Sequence, residues 1–263
     1  MSITMSSIVV QGYNNTQNTI NNLQRQLTTN QRDMSASETG IVTRISSQIA
    51  SYDAASNNID NAKSVLSVTT TGLSSISKLI QSMQDLANRA NSTTLSTSDA
   101  AALQATFAEL SNQVSDLANS SEVNGSNLLG ASGSNLEVSV GLNSSDTVTI
   151  NATASDSASL GIDQLDISSQ SGAQSAITAL KTALSTISST QSTISAAKTG
   201  LVSRQDTINS ISTNLQENVD RISKPDAAKL QQKLAELSNN QQISLWTLNQ
   251  INSASQATLK LFQ

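Results

Sequence analysis

Asp163 and Asp166 are the two side chains whose type and spacing come nearest to chemistry. Two carboxylates three residues apart in a loop suit a general acid and base, or a weak cation site. Their company supports neither role. The chain has no histidine and no cysteine, which removes the commonest general base, the thiolate nucleophile and two of the main metal ligands. HExxH, CxxC and glycine-rich phosphate-loop motifs are absent as well. With no basic or ligand cluster beside them, both aspartates read as solvated loop carboxylates, and no catalytic, cofactor-binding or metal-ligating residue is expected. One modification chemistry remains. Asn-x-Ser/Thr triplets begin at Asn14, Asn91, Asn119, Asn124, Asn143 and Asn151, and the Ser and Thr of segment 131–159 are candidate sugar acceptors. In a chain so rich in Asn, Ser and Thr, chance accounts for most such triplets.

A chain without a reaction centre is read through the elements that its apolar residues can build. Aromatics make up 2% of the 263 residues and charged residues 13%, against a usual charged share of roughly 25%. A thick globular core is not expected from this composition. Thin helical bundles, each helix buried along one stripe of Leu, Ile, Val and Ala, fit it better. A net charge of −5 disfavours a phosphate-tracking surface, so nucleic acid is not an expected partner. The first ten residues lack a basic n-region and an apolar run, and no apolar run approaches the roughly 18 residues that span a bilayer. We therefore expect a soluble chain without membrane insertion which, if exported, leaves without a cleavable signal peptide.

Apolar residues recur by threes and fours, or sums of them, through Ile45, Ile49, Tyr52, Ile59, Ala62, Leu66, Leu73, Ile76, Ile80, Met83 and Ala90. Residues 41–90 are expected as one helix about 75 Å long. Gly72 lies within it, at a cost of about 1 kcal/mol relative to alanine. A second, heptad-like stripe runs through Ala173, Ile177, Leu180, Leu184, Ile187, Ile194, Leu201, Ile208, Ile211, Leu215, Val219 and Ile222. Its span, 171–222, matches the first, and neither rod can bury its stripe alone, so the two should lie side by side. Between them, Leu103, Phe107, Leu110, Val114 and Leu117 mark a shorter helix, capped within Ser96–Asp99 and ending near Asn124-Gly125. Alternation at Leu136, Val138, Val140 and Leu142, a turn at 143–146, and alternation at Val148, Ile150 and Ala152 read as a β-hairpin.

The ends form separate stripes. Val9, Tyr13, Ile20, Leu23 and Leu27 precede a polar stretch from Thr28 to Gly40. At the other end Lys224-Pro225-Asp226 breaks the long helix, with Pro225 suited to start a new one. Leu230, Leu234, Leu237, Leu245, Leu248, Ile251, Leu259 and Phe262 then continue the pattern. The fold class is mainly α: a long antiparallel bundle with a small β-hairpin region near 134–152, plus N- and C-terminal helices paired as a coiled coil. The expected division is 1–40, 41–222 and 223–263. Bundle-core positions are Ile45, Ile49, Leu66, Leu73, Ile80, Leu180, Leu184, Ile187, Leu201, Ile208 and Leu215. The terminal positions Ile20, Leu23, Leu27, Leu234, Leu237, Leu248, Leu259 and Phe262 are expected to pack between copies, because a thin two-stranded coil leaves apolar edges open, notably around Trp246 and Phe262.

Several stretches resemble bacterial flagellin: Asn61-Ala-Lys-Ser-Val-Leu-Ser-Val-Thr-Thr-Thr-Gly-Leu73, Ile80-Gln-Ser-Met-Gln-Asp-Leu-Ala87, Gly172-Ala-Gln-Ser-Ala-Ile-Thr-Ala-Leu180 and Asn252-Ser-Ala-Ser-Gln-Ala-Thr-Leu-Lys-Leu-Phe262. Their shared order and positions carry the resemblance across nearly the whole chain. It implies a non-enzymatic, extracellular filament subunit for swimming motility, in a minimal form without large outer domains. Terminal helices would build an inner tube and the bundle an outer one. Implied partners are copies of the chain itself, a flagellar export chaperone, the type III export apparatus, and hook-associated and cap proteins. The alternative within the same resemblance is a hook-filament junction protein acting as an adaptor. Leu27-Thr-Thr-Asn-Gln-Arg32 with Ser35-Ala36 matches the family's L-S-S-G-x-R-I-N-S-A junction only in part, lacking its glycine and isoleucine. Ser82 and Gln84 stand where many members carry arginines in the segment recognised by the innate immune flagellin receptor, which implies weak or absent receptor activation.

Overall fold

The computed structural model describes residues 2–143 and 145–261. They form helices α1 (Ser2–Thr29), α2 (Ala36–Ala90), α3 (Thr97–Ser120), α4 (Gln170–Ser223) and α5 (Ala227–Leu261), with short strands β1 (Glu122–Val123), β2 (Ser126–Asn127), β3 (Leu136–Ser139) and β4 (Thr147–Ile150) between α3 and α4. The protein is mainly α, and it divides into two compact units: the middle, Gln48–Thr213, and the two ends, up to Ser47 and from Asn214. The divide falls inside α2 and α4 and not at the expected boundaries near residues 40 and 222. Ile45 and Leu215, expected in the bundle core, consequently belong to the terminal unit and are half-buried; Ile49, at the edge of the middle unit, is half-buried too.

In the middle unit α2 and α4 run antiparallel. Gln205 Nε2 donates to Asp60 Oδ1 at 2.9 Å, and Asn91 Nδ2, just past α2, donates to Gln174 Oε1 at 3.3 Å. Advancing 31 residues from Asp60 to Asn91 thus retreats 31 from Gln205 to Gln174, a register without a skip. Lys63 Nζ adds a bond to Gln205 Oε1 at 2.9 Å. Polar cross-links of this kind fix register, while the apolar stripe supplies most of the stability. Leu66, Leu73, Ile80, Leu180 and Ile187 are fully buried, Leu201 and Ile208 nearly so, and Leu184 packs partly buried at the margin.

Helix α3 starts where Ser96 Oγ accepts the Asp99 N–H at 3.2 Å, the usual N-cap geometry. It ends at Ser120, short of Asn124-Gly125. Both of those residues have positive φ, +50° and +78°, and form the two-residue turn of the β1–β2 hairpin. Asn127 replaces the missing helix cap: its Nδ2 donates to the carbonyls of Ala118 and Asn119 at 2.9 and 2.8 Å, while its Oδ1 accepts from Leu129 and Gly130 at 2.7 and 2.8 Å. The following hairpin pairs Leu136 with Ile150 and Ser139 with Thr147. Leu128, Leu129, Ile162 and Ile167, from segments without periodicity, complete the core against Phe107 and Val114.

Gly72 has a packing reason to be glycine. A Cβ there would lie 2.4 Å from Ser121 Oγ and 3.0 Å from Leu129 Cδ1. Ser121 Oγ is held by a 2.7 Å bond to the Leu117 carbonyl, so it does not move freely.

Candidate functional site

The terminal unit carries the most exposed of the large apolar side chains, although Val68, Leu142 and Val202 of the middle unit are exposed too. Helices α1 and α5 pack along each other, and Gln241 Nε2 donates to Gln17 Oε1 across the pair. These glutamines lie at similar distances in sequence from the two chain breaks, so α1 and α5 are antiparallel. Ile20 is 8% exposed and thus already covered within the chain. Leu23 and Leu27 of α1, and Leu234, Leu237 and Leu248 of α5, are half-buried. The Leu259 side chain and Phe262 lie outside the described residues.

Other apolar residues on the same helices have no such cover. Ile8 is 68% exposed on α1, and Ile243 and Trp246 are 61% and 65% exposed on α5, with Val10 and Leu245 also exposed. Residues 2–24 and 237–259 contain no charged side chain. This surface can therefore be buried without stripping water from an ion, which is the costly step in burying polar helices. Periodicity picks out the residues that close a helix pair; it passes over Ile8, Val10 and Ile243 because they lie off the stripe.

At the junction, α1 ends in Asn30 with φ +52°, a left-handed conformation that asparagine tolerates better than most residues. Asn30 stands where the junction pattern has glycine. Asp33, at the isoleucine position, accepts both Arg25 Nη2 (3.0 and 3.1 Å) and Gln26 Nε2 (3.1 Å). Helix α2 then begins at Ala36, five residues before the expected start at 41, because Ser35 and Glu38 form a capping box: Glu38 N–H donates to Ser35 Oγ at 3.2 Å, and Ser35 N–H to Glu38 Oε2 at 2.8 Å. Arg32 reaches both ways. Its guanidinium Nη2 pairs with Glu38 Oε1 at 2.5 Å, its Nε donates to the Ile222 carbonyl at 3.1 Å, and its main-chain N–H donates to the Ser223 carbonyl at 2.8 Å. Glu38 is held down to a pKa of about 2, first by the Ser35 N–H, then by the Ser35 hydroxyl and Arg32.

Pro225 does not start α5. It lies two residues before the first helical residue, Ala227, and Asp226 Oδ1 caps the helix by accepting the Lys229 N–H at 3.1 Å. Before the break, Lys224 Nζ pairs with Asp220 at 2.5 Å, and that hydrogen bond leads the causes holding the Asp220 carboxyl below its ordinary range.

The loop aspartates make no acid/base pair. Asp166 accepts the Ser168 N–H at 2.7 Å, and hydrogen bonds from Ser168 lower its pKa, the wrong direction for a general acid. Asp163 accepts Gln164 Nε2 at 3.0 Å on the surface. A cleft of about 520 Å³ between Tyr52, the β3–β4 turn and Arg204 holds Asp146, whose Oδ2 is occupied by Asn143 N and Nδ2. Among the described residues no group of three or more acidic, His or Cys side chains could hold a metal, and no helix is long and apolar enough to cross a membrane. Ser82 is exposed and returns its hydroxyl to the Lys78 carbonyl at 3.1 Å, and Gln84 is half-buried.

Long capped helices, a pinned junction and a terminal pair with exposed apolar side chains on charge-free stretches suit a structural helical protein that associates. Residues 2–135 match the bacterial flagellin N-terminal helical region. The chain is 27% identical to flagellin FljO of Caulobacter vibrioides over 97% of this chain and 95% of that protein. It is 26% identical to a flagellin of Halalkalibacterium halodurans over 84% of this chain and 82% of that one. In fold it is similar to a structure described as a flagellar hook-associated protein from Vibrio parahaemolyticus, with a TM-score of 0.56, 15% identity and coverage of 68% of this chain and 94% of that chain. The chain belongs to the bacterial flagellin family. It is a non-enzymatic structural subunit of the extracellular flagellar filament, and it polymerises with copies of itself for motility.

Proposed function

We propose that the terminal unit is the polymerisation element, packing as the filament's inner tube, with the middle unit forming the outer one. Ile20, Leu23, Leu27, Leu234, Leu237 and Leu248 hold α1 against α5, and Leu259 and Phe262 extend the apolar repeat of the sequence. Ile8, Val10, Ile243, Leu245 and Trp246 then face neighbouring copies. The observation that supports this most directly is the exposure of Ile243 and Trp246 on a charge-free stretch of α5. Large apolar side chains left exposed on a charge-free stretch suit burial against a partner. Before assembly the same face needs cover, a role that suits an export chaperone ahead of the type III apparatus; hook-associated and cap proteins would meet it at the filament ends. The side chains at Ser82 and Gln84 carry no positive charge for the immune receptor, so activation is weak or absent.

Negative-stain electron microscopy of purified monomer supplied with short filament seeds tests this reading. Tubular filaments that lengthen without limit support it. Persistent short stubs would instead favour an adaptor at the hook-filament junction.

A further inference from the structure

We infer that Arg32 is a positioning residue for assembly: its guanidinium ties the end of α4 to the start of α2, and so holds the point from which α1 and α5 depart. The inference rests on the filament reading above. The start of α2, six residues on, and the end of α4, 190 residues on, meet at this one side chain. The Ile222 carbonyl belongs to the last turn of α4, where helix carbonyls lack intrahelical partners and a cation is favoured. Glu38 belongs to the first turn of α2 and already closes the capping box with Ser35. Arg32 itself lies two residues past Asn30, whose left-handed backbone turns the chain out of α1. The main-chain bond from Arg32 to Ser223 sets the chain beside α4, and the side chain then fixes the direction.

The geometry calls for arginine and not merely for positive charge. Nε and Nη2 are held in one plane and serve two acceptors on different helices, 3.1 and 2.5 Å away. A lysine ammonium on its flexible stem can satisfy the carboxylate or the carbonyl, but does not lock the angle between them. Every other group at the junction has a local partner: Arg25 pairs with Asp33, Lys224 with Asp220, and Asp226 with the Lys229 N–H. Arg32 spans α2 and α4, and it does so within the terminal unit, whose α1 and α5 carry the uncovered apolar surface. Copies added to a growing end must present that surface in one orientation, so loosening the departure point costs productive additions without unfolding the helices.

Three variants separate the possibilities: Arg32→Gln, Arg32→Lys and Glu38→Gln. Glutamine at 38 preserves the capping box but removes the ion pair. Each purified variant is added to wild-type seeds, with wild-type monomer in parallel, and elongation rate and filament waveform are read by electron microscopy. Helicity and the urea transition of the middle unit are read on the monomers. The expected result is native helicity and an unchanged transition in all three. Both Arg32 variants should elongate about tenfold more slowly or form filaments of altered waveform, with Glu38→Gln intermediate. Recovery of normal rate and waveform by Arg32→Lys would overturn the inference. So would normal behaviour of Arg32→Gln. Should the Arg32 variants lose helicity, Glu38→Gln decides, and wild-type rate and waveform with native helicity there overturn it. Failure of the wild-type monomer to elongate would count against the filament reading itself, a different outcome from variants that match a working wild type.

Discussion

Arg32 and Ile222, 190 residues apart in sequence, are joined by a 3.1 Å hydrogen bond from the arginine Nε to the isoleucine carbonyl. That bond closes the chain on itself at the base of the terminal helix pair. It makes the terminal unit, which we propose as the polymerising part, a product of both chain ends. The remaining consequences concern the two units separately.

Leu248→Asp places a charge in the half-buried row between α5 and α1, at a cost of several kcal/mol once neighbouring copies exclude water. Seeded elongation should be abolished. The urea transition of the middle unit should be unchanged, since Leu248 is outside it. Filaments of normal length from this variant, counted by electron microscopy, would contradict the role of the row.

Gly72→Ala tests the packing of the middle unit, and its expected sign is opposite to helix propensity. An exposed helical glycine gains about 1 kcal/mol on becoming alanine. Here the new methyl meets Ser121 Oγ and Leu129 Cδ1, and overpacking of this kind costs about 1–3 kcal/mol. Equilibrium urea unfolding should show a net loss; a gain in stability would mean that the loop after α3 yields freely.

Asn127→Ala removes the side chain that caps α3 and orders the Leu129–Gly130 backbone. Three of its four hydrogen bonds are part-buried, where water does not freely replace them, and the expected loss is about 1–3 kcal/mol. Hydrogen exchange should quicken at Leu129 and Gly130 before it does in α2. Unchanged exchange there would show the cap to be dispensable.

Acid should loosen the junction late. The Glu38 carboxyl is depressed from 4.5 to about 2 in the folded protein, so its contribution is fully present above pH 4.5 and is lost as pH falls through 2. Carboxyl carbon chemical shifts should give a Glu38 midpoint near 2 in the wild type, rising towards the ordinary value in Ser35→Ala. A wild-type midpoint at 4.5 would deny the capping box in solution.

These consequences differ in how far the chain alone discloses them. Leu66, Leu73, Ile80, Leu180 and Ile187 repeat at helical spacing over many turns, so two long rods and the pairing of their stripes can be read directly. The hairpin at 136–150 shows itself by alternation. Arg32 cannot be found that way, because its partners lie 6 and 190 residues away and no local pattern links them. Leu128, Leu129, Ile162 and Ile167 enter the core from irregular segments, which periodicity passes over. Asn124-Gly125 resembles a helix stop until the pairing of Val123 with Ser126 makes it a hairpin turn. Pro225 suits a first helical residue, but Asp226 beside it has the better capping group. The terminal stripe likewise marks Ile20, which the chain covers by itself, while the uncovered Ile8 and Ile243 lie off it.

Trp246 gives the most direct test of the central claim, that copies bury the exposed face of α5. It is the protein's single tryptophan and is 65% exposed in the monomer. Its emission is to be followed during seeded elongation, with acrylamide quenching before and after. The account predicts a blue shift that tracks filament mass and a loss of quencher access in the filaments. Filaments that grow while Trp246 keeps its monomer emission and quenching would contradict it.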